Sequence, residues 1–125
     1  MLTTGVDIVE IPRIEAAAAR FGDRFLNRIY TPAELSYCRG RAAELAVRFA
    51  AKEAVAKALG VGLAHMAAGG VSCLEVEVAS DELGKPHLLL HGRARALAEE
   101  LSLREWSVSL SHAGGTAIAF VVALS

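Results

Sequence analysis

Along residues 45–59 the apolar positions Leu45, Phe49, Val55, Ala56 and Leu59 recur at the helical period and form one stripe, and alanines fill much of the rest. The pattern predicts a long helix over residues 42–59, with Gly60 as a natural C-cap residue. A helix that is apolar or small almost all the way round belongs in a protein interior. This one nevertheless carries Arg48, Lys52, Glu53 and Lys57, and Lys52 points into the apolar stripe. Buried charges must be paired, bound to a ligand or gathered at a cleft. Glu53 and Lys57 are four residues apart on one flank, and an ordinary surface pair would account for them alone. It would not account for Lys52. Three cations and one carboxylate suit a multiply charged phosphate ligand instead, although no GxxxxGK[ST] run is present to supply a P-loop.

The remaining pattern alternates helices and strands. Residues 3–11 are rich in β-branched side chains and read as a strand closed by Pro12, followed by a helix over residues 13–20 that breaks near Gly22. Thr31, Pro32 and Glu34 have the order of an N-cap, a first-turn proline and a capping box, so a short helix begins there and ends before Gly40. Residues 61–70 read as a loop. Residues 71–79 alternate as a half-exposed strand, residues 80–86 turn, and residues 87–91 return as its partner. A helix over residues 92–103 faces inward through Leu97 and Leu101. Strands over 106–112 and 117–124 flank a turn at residues 113–116. Helices between late hairpins argue for an α+β fold with a small antiparallel sheet, rather than a doubly wound sheet.

A chain of 125 residues is expected to form a single domain, residues 1–125, with a real core. Its hydrophobic fraction of 54% is high for that size and predicts that part of the surface is covered by another copy. The net charge of −1 gives no support for a nucleic-acid-binding surface. No apolar run approaches the ~20 residues that cross a membrane. The first residues lack a basic segment followed by an apolar one, so secretion is not expected and a cytoplasmic location is. Cys38 and Cys73 have neither CxxC spacing nor a framework around them, and read as free thiols in a reducing compartment.

Asp7 lies in the first strand among Val6, Ile8, Val9 and Ile11. It is either an acid bonded locally or to Arg13, or a metal ligand together with Glu53. Two carboxylates suit Mg²⁺, which keeps several waters, better than calcium, which takes six to eight oxygens. His112 ends a strand face shared with Trp106, Val108 and Leu110, whereas Ser109 and Ser111 face the other way. It is either a hydrogen-bonded core histidine or, being followed by Gly114 and Gly115, a group beside a ligand. His65, His87 and His91 have no ligand pattern and are expected at the surface. Gly84, Lys85 and Pro86 form a turn by ordinary chemistry, and Lys85 could touch a phosphate. Arg13, Arg20, Arg24 and Arg28 are spaced so that a continuous helix would align them, as a solvated face or as a docking stripe for an acidic partner.

Three separated segments, Gly5-Val6-Asp7-Ile8-Val9-Glu10-Ile11, Arg48-Phe49-Ala50-Ala51-Lys52-Glu53-Ala54 and Val108-Ser109-Leu110-Ser111-His112, together strongly resemble the holo-acyl-carrier-protein synthases of the 4′-phosphopantetheinyl transferase superfamily. Gly84-Lys85-Pro86 matches the family's turn, and the likeness runs nearly end to end. The resemblance implies transfer of the phosphopantetheine arm of coenzyme A to a serine of an acyl carrier protein, releasing adenosine 3′,5′-bisphosphate. It implies that Asp7 and Glu53 bind Mg²⁺ with the coenzyme A pyrophosphate, and that Lys57 stands near the leaving phosphate. Arg48, Gly84, Lys85, Pro86, Ser109 and His112 match positions around the nucleotide. It further implies a homotrimer with each active site between two subunits, and docking of the acidic carrier protein on Arg13, Arg20, Arg24 and Arg28. Within this resemblance Glu53 and Lys57 are the expected catalytic pair. Two rival readings remain: a non-catalytic module that binds coenzyme A or carrier protein, and a structural trimer whose buried charges only set subunit register.

Overall fold

The computed structural model describes residues 1–63 and 69–125. Strand β1 (Leu2–Glu10) leads into helices α1 (Ile11–Phe21), α2 (Asp23–Ile29), α3 (Pro32–Cys38) and α4 (Ala42–Ala58). After a connecting segment come β2 (Val76–Ser80), β3 (Pro86–Leu90), α5 (Gly92–Glu100), β4 (Glu105–Ala113) and β5 (Thr116–Leu124). The strands form a three-stranded antiparallel sheet in the order β1-β5-β4 and a separate β2-β3 hairpin, and α4 packs against both. The expected α+β architecture around a long central helix is the one observed.

Small residues let α4 lie close to the sheet. Ala117, Ala119, Val121 and Ala123 of β5 are buried, while Ile118, Phe120 and Leu124 alternate to the opposite, exposed face. Gly5 of β1 sits where a Cβ would run into the Ala54 carbonyl of α4, so only glycine permits this approach. Its register matters for the site, because Asp7 is the next residue of β1 on the same face. α4 stops where residue pattern predicted: Gly60 takes φ +78°, and Val61 N–H donates to Ala56 O at 3.0 Å.

Several expectations are corrected. Pro12 does not merely close β1 but occupies the first turn of α1, where its missing N–H costs nothing. Residues 71–75 do not extend β2. Cys73–Glu75 make a 3₁₀ turn, because the Ser72 and Glu75 side chains take the N–H groups of Leu74 and Ser72 that a strand would have paired. The helix after β3 ends at Glu100 and buries Ala94 and Ala98; Leu97 is half-buried and Leu101 exposed. Helix α2 was not expected, since Gly22 (φ +56°) starts a new helix instead of a loop. Within the expected loop 61–70, residues 64–68, including His65, lie outside the described residues.

Candidate functional site

Four of the five charged side chains of helix α4, Arg48, Lys52, Glu53 and Lys57, are disposed of in two different ways. Lys52 and Arg48 are buried and paired within the chain, which corrects the expectation that all three cations serve one phosphate. Lys52 is 0% exposed. Its Nζ donates to Glu34 Oε1 at 2.8 Å, to Cys73 O at 3.0 Å and to Val76 O, so each of its three protons has an acceptor. Burial pushes the Lys52 amine below its usual range, and Glu34 opposes that shift. Glu34 in turn accepts from the N–H groups of Thr31 and Val78, so the capping-box acid expected at the start of α3 also joins α3, α4 and β2. Arg48 is 2% exposed; Nη1 donates to Glu44 Oε2 at 2.8 Å and Nη2 to Ser80 Oγ at 2.9 Å, while its guanidinium stacks 4.5 Å from the Tyr37 ring centroid.

The other two charges gather at a cleft. Asp7, Glu53 and Lys57 line a cavity of about 780 Å³ together with Arg13, Phe25 and Phe49. Lys57 Nζ donates to Asp7 Oδ1 at 3.1 Å and to Val6 O at 2.9 Å, which ties the end of α4 to β1. The Lys57 side chain is 54% exposed and that of Asp7 18%, so the pair is open to a ligand and of small worth to folding. Among the described residues no three His, Cys, Asp or Glu side chains form a metal cage. Two carboxylates in one cleft are a donor set that fits Mg²⁺, an ion that keeps several waters.

A second cleft, of about 210 Å³, is lined by Arg48, Gly84, Pro86 and His112 with Tyr37 and Glu44. Four of the residues expected around a nucleotide therefore meet. His112 is exposed rather than a core histidine. Lys85 is exposed in the same turn, whereas Ser109 lies on the opposite face of β4 and does not join them. The turn is held by Asp81, whose Oδ1 accepts the N–H groups of Leu83 and Lys85, each at 2.9 Å. Those backbone donors, the Lys85 N–H first, hold its carboxyl below the usual carboxylate range. A depressed value means that this anchor is complete above the ordinary carboxylate range and is lost as acid protonates Asp81. The protection of the Leu83 and Lys85 amides, measured relative to their intrinsic exchange rates, should therefore fall as acid titrates Asp81, whereas Asp81→Ala should lack that protection already at neutral pH.

The two clefts share no lining residue. Arg48 and Glu53 are five residues apart on α4, which turns them about 140° away from each other around the helix axis. One chain thus presents two half-sites on different sides of the same helix.

Arg13, Arg20, Arg24 and Arg28 are all exposed, but they sit on two helices, α1 and α2, rather than on one stripe. Arg24 and Arg28 border a shallow depression with Phe21 and Phe25, and Phe25 also lines the Asp7–Glu53–Lys57 cleft, as does Arg13. The basic surface is continuous with that cleft. Sequence reasoning missed Glu34 as the partner of Lys52, and Tyr37 and Glu44 as walls of the second cleft. Only Glu44 had a legible signal, its position four residues before Arg48.

The family model described as the 4′-phosphopantetheinyl transferase superfamily matches residues 3–121. A holo-[acyl-carrier-protein] synthase from Herpetosiphon aurantiacus is 56% identical, over 99% of this chain and 99% of that protein. Among solved structures, the holo-[acyl-carrier-protein] synthase of Helicobacter pylori in complex with coenzyme A superimposes with a TM-score of 0.84 at 34% identity, covering 97% of this chain and 99% of that one. The Neisseria meningitidis synthase gives the same score at 38% identity, with 98% of both chains covered. With two carboxylates and a lysine brought together in one cleft, and with likeness running through the whole fold, the chain belongs to the 4′-phosphopantetheinyl transferase superfamily.

Proposed function

We propose that this protein transfers 4′-phosphopantetheine from coenzyme A to a serine of an apo acyl carrier protein, giving holo carrier protein and adenosine 3′,5′-bisphosphate. The observation that carries the reading is the meeting of Asp7, Glu53 and Lys57 in one cleft, in a chain 56% identical to a holo-[acyl-carrier-protein] synthase. The serine Oγ–phosphorus bond forms as the phosphorus–oxygen bond to the bisphosphate breaks. Such a displacement depends on neutralising phosphoryl charge and on aligning the attacking and leaving oxygens. Asp7 and Glu53 would hold Mg²⁺, which when bound supplies that neutralisation at the diphosphate. Lys57, kept next to Asp7 by its own hydrogen bond, adds a second positive charge at the departing oxygen. Glu53 takes the proton from the serine hydroxyl.

The nucleotide lies in the Arg48–His112 cleft of a neighbouring copy, because α4 turns the two half-sites of one chain apart. The apolar face of the sheet supports such an assembly: Ile8 is 64% exposed, Val6 46%, Phe120 45% and Ile118 37%, side by side on β1 and β5. A row of large apolar side chains on one sheet face needs a cover, and a second and third copy of the same face supply it in a homotrimer. Sedimentation of the native protein should give a trimer, and Phe120→Glu should shift it toward monomers and lower turnover with it. Among the described residues no helix is long and apolar enough to cross a membrane.

Carrier protein docks on the exposed arginines of α1 and α2, and its serine enters past Phe25. Exposed charge pairs are screened over about 8–10 Å near physiological ionic strength. The KM for carrier protein should therefore rise between low and high salt while the KM for coenzyme A moves less; steady-state kinetics at several salt concentrations decide it. The direct test of the activity is to incubate the protein with apo carrier protein, coenzyme A and Mg²⁺ and weigh the carrier. A mass gain of one phosphopantetheine is expected, and its absence where a known transferase succeeds removes the reading.

A further inference from the structure

The walls of the second cleft come from four elements: Tyr37 from α3, Arg48 from α4, Gly84 and Pro86 from the turn between β2 and β3, and His112 from β4. Three of the four are tied together behind the cleft, at the Lys52–Glu34 pair. This pair lines neither cleft, and both side chains are fully covered. Lys52 belongs to α4 and Glu34 to α3, and each takes a backbone group of β2. Lys52 Nζ donates to Val76 O, and Glu34 Oε2 accepts from the Val78 N–H at 2.9 Å. One turn earlier on α4, Arg48 Nη2 donates to Ser80 Oγ at 2.9 Å. Residues 76, 78 and 80 share one face of β2. The two helices therefore hold that strand at three successive inward positions, and its end leads directly into the turn that walls the cleft.

We propose that the Lys52–Glu34 pair positions the walls of the nucleotide cleft, and so governs the affinity for coenzyme A without touching coenzyme A or the reacting atoms. The inference rests on the reading of the Arg48–His112 cleft as the seat of the nucleotide. Stability alone does not call for a buried ion pair, since apolar side chains of the same volume often hold a core as well or better. What these hydrogen bonds add is register, because each one fixes where β2 lies along α4. The Asp7–Glu53–Lys57 cleft is joined differently: its lining comes from β1, α1, α2 and α4, with nothing from α3 or β2. Lys52 and Glu34 are thus positioning residues for one substrate only. They act through Tyr37 and through the turn at Gly84 and Pro86, where a wall displaced by about 1 Å is enough to spoil a site.

The test separates the two substrates. KM for coenzyme A, KM for carrier protein and kcat are measured by carrier mass gain for the native protein, the double variant Lys52→Met with Glu34→Gln, and Glu34→Asp. Two further variants are controls. Leu103→Ala truncates a buried side chain that lines neither cleft, and reports what lost stability does by itself. His112→Ala removes a lining residue, and reports whether the nucleotide sits in the cleft. Melting curves establish that each protein is folded at the assay temperature. The double variant should raise the KM for coenzyme A about tenfold or more, while kcat and the KM for carrier protein move less than about threefold. Glu34→Asp keeps the charges but shortens the reach to Val78, and should give a smaller rise of the same kind; where the double variant does not fold, it decides the matter. Leu103→Ala should leave the ratio of the two KM values as it is in the native protein. An unchanged KM for coenzyme A, a parallel rise in both KM values, or the same selective rise in Leu103→Ala would overturn the inference. If His112→Ala keeps the native KM for coenzyme A, the nucleotide reading itself fails. A clear His112→Ala effect beside unaffected pair variants defeats only the positioning role, and a native protein inactive with coenzyme A defeats the transferase reading.

Discussion

Glu53→Gln lowers turnover by about 10²–10⁴-fold at saturating Mg²⁺, the range associated with losing a positioned proton acceptor. Glutamine keeps the size of the side chain and its place in the cleft beside Asp7 and Lys57. What it removes is a negative charge and a site for a proton, both of which the displacement needs. Glu53 is only half-buried on α4, so the substitution leaves thermal stability near that of the native protein. The check is single-turnover mass gain of the carrier protein alongside a melting curve. Near-native turnover would overturn the role of Glu53, and a large fall in melting temperature would reassign the loss to folding.

Lys52→Met, one residue away, has the opposite signature. It leaves the Glu34 carboxylate buried with its two backbone donors but without its cation, in a region where both side chains are fully covered. Breaking a buried ion pair by removing one partner costs about 3–5 kcal/mol. That is a large share of the ~5–15 kcal/mol that holds a domain of this size together. The double variant Lys52→Met with Glu34→Gln removes the stranded charge and should recover part of the loss. Urea denaturation of the three proteins measures both numbers. A single variant as stable as the native chain would show that the pair is not the brace between α3, α4 and β2 that its hydrogen bonds describe.

These two neighbours show how far reading a sequence reaches. The helical period over residues 42–59 located Arg48, Lys52, Glu53 and Lys57 on an apolar helix, and the end of that helix at Gly60 was legible because αL glycine is a local requirement. The meeting of Asp7 with the helix was not. It follows from Gly5, whose missing side chain lets β1 and α4 approach, and from a pairing of strands that joins the two ends of the chain. Lys52 looked like a ligand group for the same reason that Lys57 did. Its partner, Glu34, is 18 residues distant along the chain, so only packing could show that its charge is satisfied internally. The strand expected over residues 71–75 failed on local chemistry, since a serine and a glutamate three residues apart can cap a 3₁₀ turn as readily as they can alternate in a strand.

Periodicity, caps and turn residues are short-range properties, and from them the chain's α+β class, the extent of α4 and the residue types suited to a phosphate-handling site could be stated outright. Which charges face the core and which face a cleft depends on contacts between residues tens of positions apart. Tertiary packing alone assigned Lys52 to Glu34 and set Lys57 beside Asp7. The reason is physical: desolvation penalises an unpaired charge wherever it lies in sequence, and the partner that relieves the penalty is chosen by the fold.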